Sequence, residues 1–233
     1  MEHLLIHRIL AIAAVLTLVF GSARPFDQSA DGMWVSLFNG KDLDGWEQHG
    51  GKASYRAENG EIVGRSAPNT GNSFLCTKKD YSDFILQLEF KVDPALNSGV
   101  QIRSQCFAEP KTVELNGKRY KFPADRVHGY QVEIDPSPRA WTGGIYDEGR
   151  RGWLYDLKRN EAARKAFRQN QWNKFRVECR GESIKTWLNG VPAADLKDAV
   201  TPSGFIALQV HGVGKNDKPL EVRFRSLRIQ ELK

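Results

Sequence analysis

Short stretches in which apolar and polar residues alternate run through most of this chain. The most pronounced are Ser98-Gly-Val-Gln-Ile-Arg103 and Tyr130-Gln-Val-Glu-Ile-Asp135. A period of two puts Val100 and Ile102, or Val132 and Ile134, on one side. Gln101 and Arg103, or Gln131, Glu133 and Asp135, fall on the other. That period predicts strands that bury one face. Comparable patterns cover residues 61–63, 74–76, 84–92, 172–179, 184–188, 205–210 and 221–230, and Asn-Gly turn signals stand at 39–40, 59–60, 116–117 and 189–190. Many short strands at hairpin spacing predict an all-β antiparallel sandwich. One short polar helix is predicted over 161–167, on the rim.

If every apolar face points into the sandwich, the polar positions gather on an outer surface. That set is Glu89, Gln101, Arg103, Gln131, Glu133, Asp135, Lys185, Trp187, Gln209 and His211. Planar amides, a guanidinium and carboxylates suit paired hydrogen bonds, and they are costly to bury unpaired. Sugar hydroxyls are a natural ligand for such a face. Trp46, Trp141, Trp153 and Trp187 are candidates for sugar stacking or for the core.

The N-terminus reads differently. Arg8 precedes an apolar run over 9–20, and Gly21-Ser-Ala23 follows. The run is shorter than the ~20 residues of a spanning helix, so residues 1–23 are expected to be a cleaved signal peptide. Residues 24–33 then form a polar linker and 34–233 a single domain. The expected location is periplasmic or extracellular, with no stable membrane insertion after cleavage. The formal net charge is +6, with its one local concentration at Lys158, Arg159, Arg164, Lys165 and Arg168. No nucleic-acid-binding motif accompanies it, so a nucleic-acid partner is not expected. Three cysteines, Cys76, Cys106 and Cys179, allow at most one internal disulfide, and no pair has zinc-site spacing.

A set of ordered motifs adds a family. These are Ser36-Leu-Phe-Asn-Gly-Lys-Asp-Leu-Asp-Gly-Trp46, Asn97-Ser-Gly-Val-Gln-Ile-Arg103, Tyr130-Gln-Val-Glu-Ile-Asp135, Thr142-Gly-Gly-Ile-Tyr146, Trp172-Asn173, Trp187-Leu-Asn-Gly190, Gly204-Phe-Ile-Ala-Leu-Gln-Val-His-Gly212 and Val222-Arg-Phe-Arg-Ser-Leu-Arg-Ile229. With them the chain resembles the 3-keto-disaccharide hydrolase domain family. The resemblance implies a concanavalin A-like or laminin G-like jelly roll and, as substrates, glycosides oxidised at C3. One departure is Ile134-Asp135 where the family usually has Leu-Asp.

A ketone at C3 acidifies the C2 hydrogen. A base removes it, an enediolate forms, and the C1 substituent leaves before water adds. This chemistry needs a base, a holder for the enediolate oxygens and an acid. His211, Glu133 and Arg103 are the expected catalytic residues. Gln101, Gln131, Asp135, Tyr146, Lys185, Trp187, Gln209, Glu89 and Asn97 are expected to bind substrate, with Tyr146 and Lys185 as reserve acids. No cofactor is assigned, and Glu133, Asp135 and His211 are candidates for a divalent metal. Direct hydrolysis by two carboxylates, such as Glu89 and Glu133, is an alternative enzyme reading. A non-catalytic carbohydrate-binding module is the alternative function, and a laminin G-type interaction domain a third.

Overall fold

A computed structural model describes residues 32–232. The expected signal peptide, and the linker up to residue 31, lie outside the described residues. In chain order the elements are β1 (Trp34–Ser36), β2 (Trp46–Gly50), β3 (Ser54–Glu58), β4 (Glu61–Arg65), β5 (Ser73–Tyr81), β6 (Phe84–Val92), β7 (Ser98–Gln105), β8 (Lys111–Leu115), β9 (Lys118–Phe122), β10 (His128–Ile134), β11 (Ile145–Glu148), β12 (Gly152–Tyr155), α1 (Glu161–Ala166), β13 (Asn173–Arg180), β14 (Ser183–Leu188), β15 (Val191–Lys197), β16 (Gly204–Val210) and β17 (Glu221–Glu231). None of the described helices is long and apolar enough to cross a membrane.

The strands form two large antiparallel sheets. One runs β15-β14-β13-β6-β17-β4-β3, with β1 joined to β17. The other runs β12-β11-β10-β7-β16-β5-β2. We refer to them as the β6 sheet and the β7 sheet. The protein is thus the predicted all-β sandwich. Alternation explains the core. Phe84, Leu86, Leu88 and Phe90 of β6 and Phe175 and Val177 of β13 meet Val100, Ile102, Val132, Ile134, Ile206 and Leu208 of the other sheet. Each fully buried side chain of this size contributes about 1.5–3 kcal/mol.

The helix begins at Asn160, whose Oδ1 accepts from the Ala163 amide at 3.1 Å. This N-cap satisfies a donor that a short helix otherwise leaves unpaired. It ends one residue earlier than predicted: Phe167 is extended, and its ring stacks on Phe90 with centroids 6.4 Å apart. Core packing there outweighs one more helical residue. All three cysteines are free thiols, and Cys179 is buried on the core face of β13, as expected for a small apolar side chain.

β7, β10 and β16 form the middle of the β7 sheet, and they are buried on both faces almost throughout. Alternation predicts only one buried face. The segment between β7 and β10, carrying the β8–β9 hairpin, supplies the second cover. Phe122 stacks on His128 at 3.7 Å, and Phe107 lies 5.1 Å from the same ring. Val127 packs with Phe74, Cys76, Phe205 and Ala207 in a second apolar cluster. Burial holds His128 neutral, with its imidazole pushed down to about 4, and Arg150 and Arg126 add to the effect. One part of this outer face is therefore capped by apolar packing, and the rest is a polar cleft.

Candidate functional site

Strand register brings distant residues of the β7 sheet into rows. Glu133 pairs with Gly99, Gly99 with Gln209, Gln209 with Phe74, and Phe74 with His49. The next row runs Trp153, Tyr146, Gln131, Gln101, Ala207, Cys76 and Glu47. Gly99 matters here because it has no side chain. A Cβ at that position would lie 2.5 Å from Cδ of Gln131, which crosses the vacant space.

Through that space runs a hydrogen-bonded column. The Ser104 hydroxyl donates to Gln101 Oε1 at 2.7 Å, Gln101 Nε2 to Gln131 Oε1 at 2.6 Å, and Gln131 Nε2 to Glu133 Oε2 at 2.9 Å. Asn97 Nδ2 donates to Glu133 Oε1 at 2.8 Å. Every donor points towards the same carboxylate, so the amides are satisfied only if Glu133 accepts. Burial nevertheless raises the Glu133 carboxyl above its ordinary range, against the donors and the nearby Arg139 guanidinium. Desolvation favours the neutral form more than these bonds favour the charged one.

Glu133 opens into a cleft of 330 Å³ lined by Asn72, Asn97, Gln131, Glu133, Arg139, Tyr146, Glu148, Trp153 and His211. Arg139 is its cation. Its Nε donates to Asp135 Oδ2 at 2.7 Å, its terminal nitrogen reaches Glu133 at 3.3 Å, and its guanidinium lies 4.8 and 5.0 Å from the Trp141 and Trp153 rings. Tyr146 meets Trp153 edge-on at 5.3 Å. His211 is exposed at the end of β16, and its Nδ1 bonds the Gly212 carbonyl at 2.8 Å. A carbonyl only accepts, so Nδ1 carries hydrogen, and Nε2 has no hydrogen-bond partner among the described residues. Glu148 is buried, which raises its carboxyl, while Arg126 and His211 pull it down. Arg126 holds one oxygen at 2.8 Å, and the other accepts no hydrogen bond among the described residues. A larger hollow of 440 Å³ lies on the β6 sheet between Trp34, Gln87, Lys174 and Arg228, but it has neither an imidazole nor a buried carboxyl.

The predicted residues divide between the two sheets. Gln101, Gln131, Glu133, Asp135, Tyr146, Gln209, His211 and Asn97 belong to the β7 sheet and its flanking loops, and four of them line the cleft together with Gln131. Gln209 is wholly buried in the Glu133 row, and its amide has no partner among the described residues. Three residues correct the expectation of one shared face. Glu89, Lys185 and Trp187 lie on the β6 sheet, where they pair with Arg225 at 2.7 Å, with Asp195 at 3.3 Å and beneath Arg176 at 5.5 Å. Alternation assigns a residue to a side of its strand, but it does not say which sheet the strand joins.

Arg103 is a further correction. Its backbone is left-handed (φ 45°), beside a register irregularity where β7 meets β10 and β16, so the alternation breaks at this residue. The side chain is 1% exposed and donates to the carbonyls of Ser82 and Gly181 at 2.6 and 2.7 Å and to Asp83 at 2.8 Å. It ties two turns together and does not reach the cleft. The metal trio also fails to assemble. Asp135 accepts from Arg139 and from the Ser137 and Trp141 amides, and Glu133, Asp135 and His211 do not converge to ligating distance.

Arg139, Glu148 and Asn72 were missed. Arg139 follows β10 in a loop, Glu148 ends the four-residue β11, and Asn72 precedes β5, where its Oδ1 accepts from Gly212 at 3.0 Å. Periodicity carries no information at such positions. The one available signal was an arginine four residues beyond Asp135, close enough to neutralise the Glu133–Asp135 pair.

Comparison with known proteins decides the family. The 3-keto-alpha-glucoside-1,2-lyase-like domain matches residues 33–230. The chain belongs to this family. It is thus a carbohydrate-active domain of the glycoside hydrolase-like kind. No curated protein matched in sequence. Among solved structures, the chain is similar to an assigned glycosyl hydrolase from Parabacteroides distasonis ATCC 8503, at 19% identity and a TM-score of 0.56, over 87% of this chain and 94% of that one. It is similar to the carbohydrate-binding module CBM66 from Bacillus subtilis, at 17% identity and 0.54, over 80% and 96%. It is also similar to the catalytic domain of an endo-1,3-beta-glucanase (laminarinase) from Thermotoga petrophila RKU-1, at 12% identity and 0.54, over 87% and 99%. These likenesses show the shared fold.

Proposed function

We propose that this 3-keto-alpha-glucoside-1,2-lyase-like domain cleaves glycosides oxidised at C3, by elimination across C1–C2 followed by hydration. One observation carries the reading: an imidazole with a free nitrogen, a buried carboxyl with a free oxygen and a guanidinium line one small cleft. His211 Nε2 takes the C2 proton, and the electron pair moves to give a C2–C3 enediolate with the negative charge on O3. Arg139 holds that oxygen, with Glu133 and Asp135 orienting the guanidinium. The pair then closes a C1–C2 double bond as the C1–O1 bond breaks. Glu148, kept protonated more readily than an exposed glutamate, gives its proton to the departing oxygen. Water then adds across the C1–C2 double bond: its hydroxyl goes to C1, its proton returns to Glu148, and His211 gives a proton back to C2. Trp153 and Tyr146 offer ring faces and edges to the sugar. We further infer from the apolar run over 9–20 that the domain works outside the cytoplasm.

A binding module of the same fold needs no acid or base, and here the three titratable groups favour the enzyme. The test is parallel incubation with 3-keto-trehalose and trehalose, with a third sample of the keto sugar in D₂O. Turnover of the keto sugar alone, with deuterium entering C2, is expected. Equal turnover of both sugars would sink the elimination route, and saturable binding without any turnover would make the domain a binding module.

A further inference from the structure

At the far end of the Glu133 row, on the edge strand β2, stands a cluster of side chains that the proposed reaction leaves unused. His49 Nδ1 lies 2.6 Å from Asp125 Oδ1, Cys106 Sγ lies 3.9 Å from the same oxygen, and the three donor atoms fall within 4.8 Å of one another. The other ring nitrogen, Nε2, lies 3.3 Å from Glu47 Oε1. Asp125 Oδ2 is fixed separately, accepting from the Gly50 amide at 2.9 Å. We propose that His49 Nδ1, Asp125 Oδ1 and Cys106 Sγ bind a divalent ion of borderline softness, zinc foremost, and that Glu47 orients the histidine.

The donor set argues for this class of ion. One nitrogen, one sulfur and one carboxylate oxygen match zinc and disfavour calcium or magnesium, which take oxygen ligands. The Glu47 contact supplies an independent sign. Ligating histidines usually donate their remaining N–H to a carboxylate, which fixes the tautomer. Here the nitrogen facing away from the cluster faces one. Charge points the same way: among the described residues, the only basic side chain paired with Glu47 or Asp125 is His49 itself. The ring lies between two carboxylates, with Nδ1 facing Asp125 and Nε2 facing Glu47. With an ion bound, the Nδ1 and Cys106 thiol protons leave to solvent, Nδ1 gives its lone pair to the metal, and Nε2–H donates to Glu47. Three protein ligands leave a fourth position for water.

The consequence is mechanical. Cys106 follows β7 and Asp125 precedes β10, so they stand at the two ends of the segment that carries the β8–β9 hairpin. His49 comes from β2, remote in sequence. An ion held by all three closes the base of the hairpin and pins it to the sheet edge.

Cobalt(II) tests this with the full chain, because a thiolate ligand gives a near-ultraviolet charge-transfer band that nitrogen and oxygen ligands do not. The expected result is one equivalent bound with that band, displaced by one equivalent of zinc. The band should vanish in Cys106→Ser and persist in Cys76→Ser. Glu47→Gln should weaken binding by about 10–100-fold. Failure of the wild-type protein to bind would leave His49 as a hydrogen-bonded link between two carboxylates and overturn the proposal. So would a band that survives in Cys106→Ser or disappears in a folded Cys76→Ser. If Cys106→Ser does not fold, the wild-type spectrum and Cys76→Ser decide the question.

Discussion

Glu133 shows how one side chain is held in opposing directions. Three donors, from Asn97, Gln131 and Arg139, favour its charged form, while burial favours the neutral one and prevails. A carboxyl raised in the folded state stabilises the fold below its unfolded value, and that contribution is lost as pH rises through the folded value. The window therefore opens near 4.5 and extends upward. Glu133→Gln does not titrate. Thermal melts from acid to mildly alkaline pH are expected to show wild-type stability falling relative to Glu133→Gln as pH rises. Parallel curves would remove burial as the dominant influence. The substitution also turns an amide donor towards Asn97 or Gln131, at a pH-independent cost of about 1 kcal/mol. His211 gives the clearer kinetic test. It is exposed and, among the described residues, its side chain makes one hydrogen bond, to Gly212, so His211→Ala should leave the melting temperature nearly unchanged. Its kcat on a 3-keto-glucoside should fall by about 10²–10⁴-fold, the usual contribution of a general base. Full activity in the folded variant would remove His211 from the mechanism.

At the scale of strands, legibility followed periodicity. β6, β10 and β16 were readable because two-residue alternation is strict there and the buried side is apolar. β2, β3, β8, β9, β11, β12 and β15 were not, since all but β15 are short, they lie towards sheet edges or in the separate hairpin, and they carry mixed polar and apolar residues. The cleft suffered accordingly. Its floor, Gln131 and Glu133, comes from a regular strand and was found. Of its walls, Asn97, Tyr146 and His211 were found, while Arg139, Glu148 and Asn72, from a loop and strand ends, were not. Arg103 is the instructive error, because two residues beyond Gln101 it should share that face, and its left-handed backbone sends it elsewhere. Truncating it removes a buried cation from two carbonyls and Asp83. Arg103→Ala should therefore cost about 3 kcal/mol of stability in urea denaturation. The folded fraction should keep its kcat, whereas a catalytic arginine would lose rate without comparable loss of stability.

Seen whole, the molecule has two outer faces of different character on opposite sides of one core. The β6 sheet's face holds Glu89–Arg225 and Lys185–Asp195 pairs and Trp187 beneath Arg176, contacts that neutralise or cover one another. The β7 sheet's face ends in a cleft whose aromatic and charged groups point at shared space. Packed sheets stand ~10 Å apart, so a sugar in the cleft does not touch the opposite face. Two tryptophans separate these roles. Trp153→Ala removes a ring from the cleft wall, together with one of the two rings under Arg139. Loss of one sugar-stacking ring is expected to cost about 1 kcal/mol, raising KM for a 3-keto-glucoside roughly fivefold, with a smaller fall in kcat as Arg139 loosens. Trp187→Ala should leave both constants within about twofold and lower stability slightly through its lost contact with Arg176. Steady-state kinetics on the two variants, each checked by its melting temperature, compares the faces directly. A KM rise confined to Trp187→Ala would move the substrate to the β6 sheet and overturn the assignment of the cleft.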